Sequence, residues 1–335
     1  MKPIIAIVAG GDSSEHDVSM HSAAGLLSFM DHDKYDCYVV EIQGADWHVD
    51  YGDSRYPIDR SDFSFTAADG RHRFDFAYIT IHGTPGENGI LQGYFDLIGL
   101  PYSTSGVLVE SLTFNKYVLN NFLRPLAGDD FRIADSVLVR RGCPRPATDA
   151  VVARLGLPCF VKPNAGGSSF GVTKVKTADA LQPALDKALH ESEEAMIEGL
   201  LTGTEITCGC YRGAGAFTAF PITEVVTDEE FFDYDAKYNG KVSEITPARI
   251  APETARRVTE ITARIYDLLG CYGIIRVDYI LSGEPGHETV NLLEINTTPG
   301  MTGTSFIPQQ VRAAGLDIKD VLSDIIEGKL RRTEP

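Results

Sequence analysis

Two apolar segments late in the chain carry groups that an ordinary buried strand avoids: Arg276 and Asp278 in IIRVDYI, and Glu294 and Asn296 in LLEINTTPG. Alternation with period two sends Arg276 and Asp278 to one face of their strand, and Glu294 and Asn296 to one face of theirs. If the strands are neighbours, Asp278, Glu294 and Asn296 supply two carboxylates and an amide oxygen. Such hard donors suit Mg²⁺ that keeps water and phosphate oxygens as its other ligands. Arg276 beside them would face a developing oxyanion or a phosphate. A buried ion-pair network among the four is the alternative, but two acids with one arginine are costly to bury without another cation, which favours the metal.

A second group lies in Lys162-Pro-Asn-Ala-Gly-Gly-Ser-Ser-Phe-Gly171. Its glycines let backbone N–H groups approach a phosphate, its serines add hydroxyl donors, and Lys162 supplies charge at its base. The lysine precedes the glycines, so this is no GxxxxGK[ST] loop. Residues 167–171 also match GxSxG, with Ser169 as the would-be nucleophile of a serine hydrolase. A helix should then follow at once, whereas VTKV reads as a strand. The segment Gly10-Gly-Asp-Ser-Ser-Glu15-His16 is a glycine turn that places an acid where a substrate ammonium could sit. Its competing reading is a helix N-terminus capped by Ser13 or Ser14. His82, in HGTPGENG, closes another strand and is a binding candidate or a structural histidine.

These groups need a scaffold that brings strand ends together. PIIAIVA, CYVVEI and FAYITI read as buried parallel strands alternating with helical patterns, the signature of an open α/β sheet whose ligands bind at the carboxyl ends of its strands. The loops 10–19 and 82–89 then become binding loops. Farther on, the pattern predicts a helix from Val107 through about Arg124, a strand near Ile133–Val139 and a helix from Thr148. Strand, loop and strand follow across LPCFVKPNAGGSSFGVTKV, and then a helix over 178–190. A more antiparallel region begins near Glu205, and helix 252–269, strands 273–281 and 288–295 and a helix near 317–331 complete the chain. Residues 227–247 are polar and aromatic without periodicity, as lids often are.

With 335 residues, two or three subdomains are expected. The balance of 30 basic against 47 acidic residues, a net charge of −17, argues against nucleic acid and anionic membrane as partners. Six scattered cysteines with no CxxC read as reduced thiols. The first apolar run, Ile4 to Ala9, is too short for a signal core or a membrane span, so a cytoplasmic location is expected.

GGDSSEHDVS, HGTPGENGILQG, Lys116, LPCFVKPNAGGSSFGVTKV, MIEGLLTGTE, FDYDAKY, IIRVDY and LLEINTTPGMTGTS follow one another along almost the whole chain. In that order they resemble the D-alanine–D-alanine ligases of the ATP-grasp superfamily. The resemblance implies an ATP-grasp fold: an N-terminal open parallel α/β domain over 1–104, then two α+β subdomains, 105–197 and 198–335, that enclose ATP, with the lid 227–247 in the last. It implies ATP-dependent joining of two D-alanines through an acyl phosphate, for peptidoglycan precursors, by a homodimer using Mg²⁺ or alternatively Mn²⁺. Carried over position by position, Lys116 and Lys162 hold ATP phosphates, Glu198 and Leu201 line the adenine site, and Glu205 meets the ribose. Ser169 and Phe232 join them as nucleotide contacts. Asp278, Glu294 and Asn296 resemble the magnesium ligands. Glu15 resembles the acceptor of the first ammonium, in a hydrogen-bonded triad with Ser168 and Tyr238. His82 joins the substrate contacts, Lys237 and Ser305 resemble receivers of the second carboxylate, and Arg276 with the Gly300 N–H resembles an oxyanion site. One departure is Gly199, where many relatives carry a longer, often basic residue beside the adenine.

Overall fold

The computed structural model describes residues 2–167, 170–227 and 242–333. The first sheet has the order β4-β3-β2-β1-β7, built from β1 (Ile4–Gly10), β2 (Asp36–Gln43), β3 (Asp46–Tyr51), β4 (Ser54–Pro57) and β7 (Phe76–Ile79). β1 pairs in parallel with both β2 and β7, as the apolar runs predict. The antiparallel extension through β3 and β4 is additional, as is the small hairpin β5 (Ser64–Ala67) and β6 (Gly70–Arg73). Helix α1 (His16–Phe29) follows β1, and Met301, Ile307 and Val311 join its buried Ala23 and Leu26 in one core. Two elements far apart in sequence thereby close over the carboxyl end of β1. Helix α2 (Ile90–Ile98) covers the other side of the sheet through Leu91 and Phe95.

The predicted helix beginning at Val107 is two helices, α3 (Val107–Phe114) and α4 (Lys116–Ala127), broken at Asn115. Asn115 adopts an extended backbone, and its Oδ1 accepts from the Val118 N–H at 3.0 Å, an N-cap that starts the second helix. The single strand expected near 133–139 is also two. β8 (Arg132–Ile133) runs parallel to β18, while β9 (Ser136–Arg140) pairs with β12 in a different sheet. That second sheet has the order β11-β10-β12-β9, with β10 (Cys159–Pro163), β11 (Thr173–Val175) and β12 (Glu194–Gly199), packed on α5 (Thr148–Leu155) and α6 (Leu181–Glu191). β11 follows the glycine loop and pairs antiparallel with β10, so a strand and not a helix succeeds GxSxG.

The third sheet contains β13 (Thr204–Arg212), β14 (Thr218–Ala219), β15 (Thr223–Thr227), β16 (Val242–Ile245), β17 (Gly273–Ser282) and β18 (Thr289–Asn296), with β8 at its edge. Helix α7 (Pro252–Leu269) has proline in its first turn, where the missing N–H is harmless, and lays Val258, Ile261 and Ile265 onto this sheet. α3 and α4 share that core through Val109, Leu119 and Leu123. Helix α8 (Phe306–Ala313), absent from the sequence expectation, carries Pro308 in its first turn, where proline is tolerated and not a breaker. α9 (Ile318–Thr333) closes the chain.

Candidate active site

β17 and β18 are antiparallel neighbours in the register that the alternation requires: Asp278 lies opposite Glu294 and Arg276 opposite Asn296. Arg276 donates from Nε and Nη2 to the two oxygens of Asp278 at 2.9 and 2.7 Å, and Thr207 of β13 donates to Asp278 Oδ1 at 2.5 Å. Burial alone would depress the arginine's affinity for its proton, but Asp278, Glu294 and Glu205 together outweigh it and raise the Arg276 pKa above its usual value. Its guanidinium also sits 5.3 Å from the centre of the Phe306 ring. Lys116 Nζ lies 3.9 Å from Glu294. Among the described residues no three His, Cys, Asp or Glu side chains form a metal-holding group by themselves. The protein's share of a cation site would thus be two carboxylates and the Asn296 amide.

Two cavities meet over this floor. One, of about 480 Å³, is lined by Lys162, Glu198, Gly199, Leu201, Glu205 and Asp278. The other, of about 850 Å³, is lined by Glu15, His82, Glu87, Asn296, Gly300 and Ser305. Lys116, Gly166, Gly167, Arg276, Glu294 and Phe306 line both and form the seam between them.

In the smaller cavity, Lys162 on β10 donates to Glu198 on β12 at 2.7 Å, both side chains nearly buried, and Asn120 of α4 donates to the other oxygen of Glu198 at 3.3 Å. Asn164, fully buried, ties the glycine loop to the start of α4. Its carbonyl accepts from the Lys116 N–H at 3.0 Å and its side-chain oxygen from the Tyr117 N–H at 2.8 Å. These are orphan donors of a helix N-terminus. Lys116 is thereby aimed along the loop and donates from Nζ to the Gly166 carbonyl at 2.6 Å. Burial lowers its pKa, against the opposing pull of Glu294.

In the larger cavity, Glu15 occupies the position before α1 but makes no cap to the helix with its side chain. Ser13 organises the turn instead, accepting from the Glu15 N–H at 3.2 Å and donating to the His82 carbonyl at 2.9 Å. A Cβ placed on Gly167 would come within 2.7 Å of Glu15 Oε2, so a side chain there would make this carboxylate shift. His82 is buried, with Nε2 at 3.2 Å from Ser22 Oγ. Burial lowers its pKa; Glu15 works in the opposite sense and Arg276 adds to the lowering. Ser305 accepts from the Thr302 N–H at 3.1 Å, which folds the segment after Gly300 back on itself.

Glu87 was not singled out in the sequence, although it lies in the expected binding loop 82–89. It is buried, accepts from the Gly83 N–H at 2.7 Å, and has its pKa pushed up to about 7 by burial and by the Glu15 charge. A carboxylate inside a glycine-rich loop at a strand end was the available signal. Glu244 of β16 also lines this cavity and accepts from Gln309 at 2.5 Å; burial raises its pKa. Ser168, Ser169, Phe232, Lys237 and Tyr238 lie outside the described residues, as do positions 228–241 of the expected lid. The strands on either side of that segment, β15 and β16, pair with each other.

Family models match two stretches, residues 4–105 to the D-ala D-ala ligase N-terminus and residues 134–327 to the D-ala D-ala ligase C-terminus. The D-alanine–D-alanine ligase of Phocaeicola vulgatus is 61% identical over 98% of this chain and 100% of its own length, and that of Porphyromonas gingivalis W83 is 55% identical over 99% of each. Among solved structures, the VanG D-Ala:D-Ser ligase of Enterococcus faecalis is 30% identical with a TM-score of 0.83, covering 98% of this chain and 99% of that one. The D-alanine–D-alanine ligase of Bacillus anthracis complexed with ATP is 28% identical with a TM-score of 0.76, covering 98% of each chain. Three sheets converging on one acidic, glycine-rimmed seam, matched along nearly the full length by these relatives, have one explanation: the chain belongs to the D-alanine–D-alanine ligase family of the ATP-grasp fold.

Proposed function

We propose that the two cavities divide between them the family's reaction, the ATP-dependent joining of two D-alanines to D-alanyl-D-alanine for peptidoglycan precursors. The observation that carries this reading is the seam. Lys116, Arg276 and Glu294 line both cavities at once, so a phosphoryl donor in one and a carboxylate in the other would meet over the same charged groups. The smaller cavity takes ATP, with Lys116 and Lys162 on its phosphates, Glu198 and Leu201 at the base and Glu205 at the ribose. Ser169 and Phe232 are further nucleotide contacts. The larger takes the amino acids, with Glu15 receiving the first ammonium and His82 and Ser305 among the contacts. The units 1–104, 105–197 and 198–335 contribute, in that order, the acid-lined loops, the glycine loop and the strand floor.

A free carboxylate resists amine attack because resonance and negative charge suppress its electrophilicity. In the proposed sequence the carboxylate of the first D-alanine attacks the γ-phosphorus, the bond to the β-bridging oxygen breaks, and ADP leaves an acyl phosphate behind. The amine of the second D-alanine then attacks the acyl carbon, Arg276 and the Gly300 N–H stabilise the tetrahedral oxyanion, and inorganic phosphate departs. Ser168 and Tyr238 complete a triad with Glu15, Lys237 receives the second carboxylate, and the lid 227–247 excludes water from the acyl phosphate. Asp278, Glu294 and Asn296 fit a divalent cation, since all three present hard oxygens and Glu294 and Asn296 line the amino-acid cavity while Glu294 and Asp278 line the nucleotide one. Mg²⁺, or Mn²⁺ in its place, held there would neutralise phosphate charge.

Six exposed large apolar side chains, Ile90, Leu97, Val107, Leu108, Val118 and Phe122, sit on α2, α3 and α4. On a chain of net charge −17 an apolar helical face is where two copies could approach with least repulsion, and we assign it to a homodimer. Among the described residues no helix is long and apolar enough to cross a membrane; the reaction is assigned to the cytoplasm, where ATP is available. Incubation with ATP, Mg²⁺ and D-alanine should release ADP and phosphate only when D-alanine is present, with dipeptide seen by mass spectrometry. ATP turnover indifferent to D-alanine would reject the reading. Light scattering should return twice 36.5 kDa, and a monomer would remove the dimer from it.

A further inference from the structure

Of the buried acids that the reaction leaves unused, Glu110 is the most deeply enclosed. Glu110, in the first turn of α3, has no exposed surface at all. Its Oε2 accepts from the Thr297 hydroxyl at 2.5 Å, and Oε1 is buried without a hydrogen-bond partner among the described residues. Among the described residues no lysine, arginine or histidine forms an ion pair with it. Burial drives its pKa well above the usual carboxyl value, the Thr297 hydrogen bond pulls it back in part, and Glu87 adds a like charge. A leucine of similar size would fill the same space without the cost of burying a carboxyl, so packing does not explain the residue.

What it holds does. Thr297 stands between Asn296 and the turn that carries Gly300, in a buried loop whose Met301 packs into the core with Ala23 and Leu26. Thr298 Oγ1 reaches the Ile81 carbonyl at 3.4 Å, and Ser22 Oγ accepts from the Met301 N–H at 3.4 Å. Both are at the long limit of a hydrogen bond. The 2.5 Å bond to Glu110 is the short one, and the helix that carries Glu110 is anchored in the core of the third sheet through the adjacent Val109.

We propose that Glu110 is a positioning residue of the ligation, setting through Thr297 the loop that presents Asn296 and the Gly300 N–H to the substrate cavity. The inference rests on the roles given above to Asn296 and Gly300. A displaced Gly300 N–H weakens the second step more than the first. Acyl phosphate then has time to meet water, giving D-alanine and phosphate in place of dipeptide.

Three single variants, Glu110→Leu, Glu110→Gln and Thr297→Val, and the double variant of Glu110→Leu with Thr297→Val test this, each assayed for ADP formed per dipeptide formed, for kcat and for the KM of ATP. Glu110→Leu should melt no lower than the parent, lose about fivefold to tenfold in dipeptide kcat, keep its ATP KM, and raise the ADP-to-dipeptide ratio above one. Glu110→Gln, which keeps an acceptor oxygen for Thr297, should recover most of that loss. Thr297→Val should reproduce the leucine phenotype, and the double variant should be no worse than either single one. A parental rate and ratio in Glu110→Leu, or additive losses in the double variant, overturns the proposal. If Glu110→Leu does not fold, Thr297→Val decides alone, and a parental ratio there overturns it. Failure of the underlying reading looks different, because the parent enzyme would then form no dipeptide.

Discussion

The cavity around Lys162, Glu198 and Asp278 is built from strands, whereas the one around Glu15, His82 and Ser305 is built from strand ends and the loops that leave them. In the strand-built cavity two buried charges meet opposite ones on a neighbouring strand or on their own. Lys162 meets Glu198, and Arg276 meets Asp278. In the loop-built cavity Glu87 is buried beside the Glu15 charge, and Glu110 lies buried behind the loop that carries Gly300. Strand register settles charge locally, because residues facing each other across a ladder are in contact as soon as the sheet forms. Among the loop carboxyls burial does the settling, by raising the pKa of Glu87 and of Glu110.

The comparison breaks most visibly at Glu294, the acid of the seam. Glu294→Gln keeps the shape and removes the charge, and it should lower ADP formation at least about a hundredfold at limiting Mg²⁺, a loss of several kcal/mol of transition-state stabilisation. Turnover near the parental rate would remove Glu294 from the cation site.

An intermediate effect is expected at Glu87, in stability more than in rate. Its pKa rises from 4.5 to about 7 on folding, first because of burial. Between those values the folded protein holds a proton that the unfolded chain has released, so stability is full below about 4.5 and declines as pH rises to about 7. The decline has an upper bound of about 3 kcal/mol at roughly 1.4 kcal/mol per pH unit. Glu87→Gln should flatten that slope in the substrate-free enzyme, as read from urea midpoints across the window. An unchanged slope would show that the loop-built cavity does not hold this acid neutral. D-Alanine should flatten the parental slope as well if its ammonium shares the carboxyls.

The smallest effect belongs to Ser22, whose hydroxyl lies 3.2 Å from His82 Nε2 and accepts from the Met301 N–H. Ser22→Ala removes both contacts at a cost of about 0.5–1.5 kcal/mol each. The KM for D-alanine should rise a few-fold while that for ATP stays put. Equal changes in both would mean that the two cavities are not separable as drawn.

The strand-built half was largely legible before any tertiary information. Arg276, Asp278, Glu294 and Asn296 interrupt apolar runs at period two, and the structure places them on facing strands in that order. The glycine loop between β10 and β11 announced itself by composition, and its strand context dismissed the hydrolase reading. The break at Asn115 was harder. Apolar residues continue across it at helical spacing, and the competing signal is the Asn115 cap, which is completed from far away by Asn164 Nδ2 at 2.9 Å.

Within an element, the sequence by itself determined which side chains share a face, because backbone periodicity is a property of neighbours along the chain. Only the tertiary structure decided which faces meet. Glu110 and Thr297 are 187 positions apart and bonded at 2.5 Å, Gly167 lies against Glu15 from a different sheet's loop, and β8 joins β18 and not β9. None of these has a local signature. A buried carboxyl, a close-approach glycine and a two-residue strand are each ordinary in isolation, and they acquire their chemistry when chain closure brings distant backbone against them.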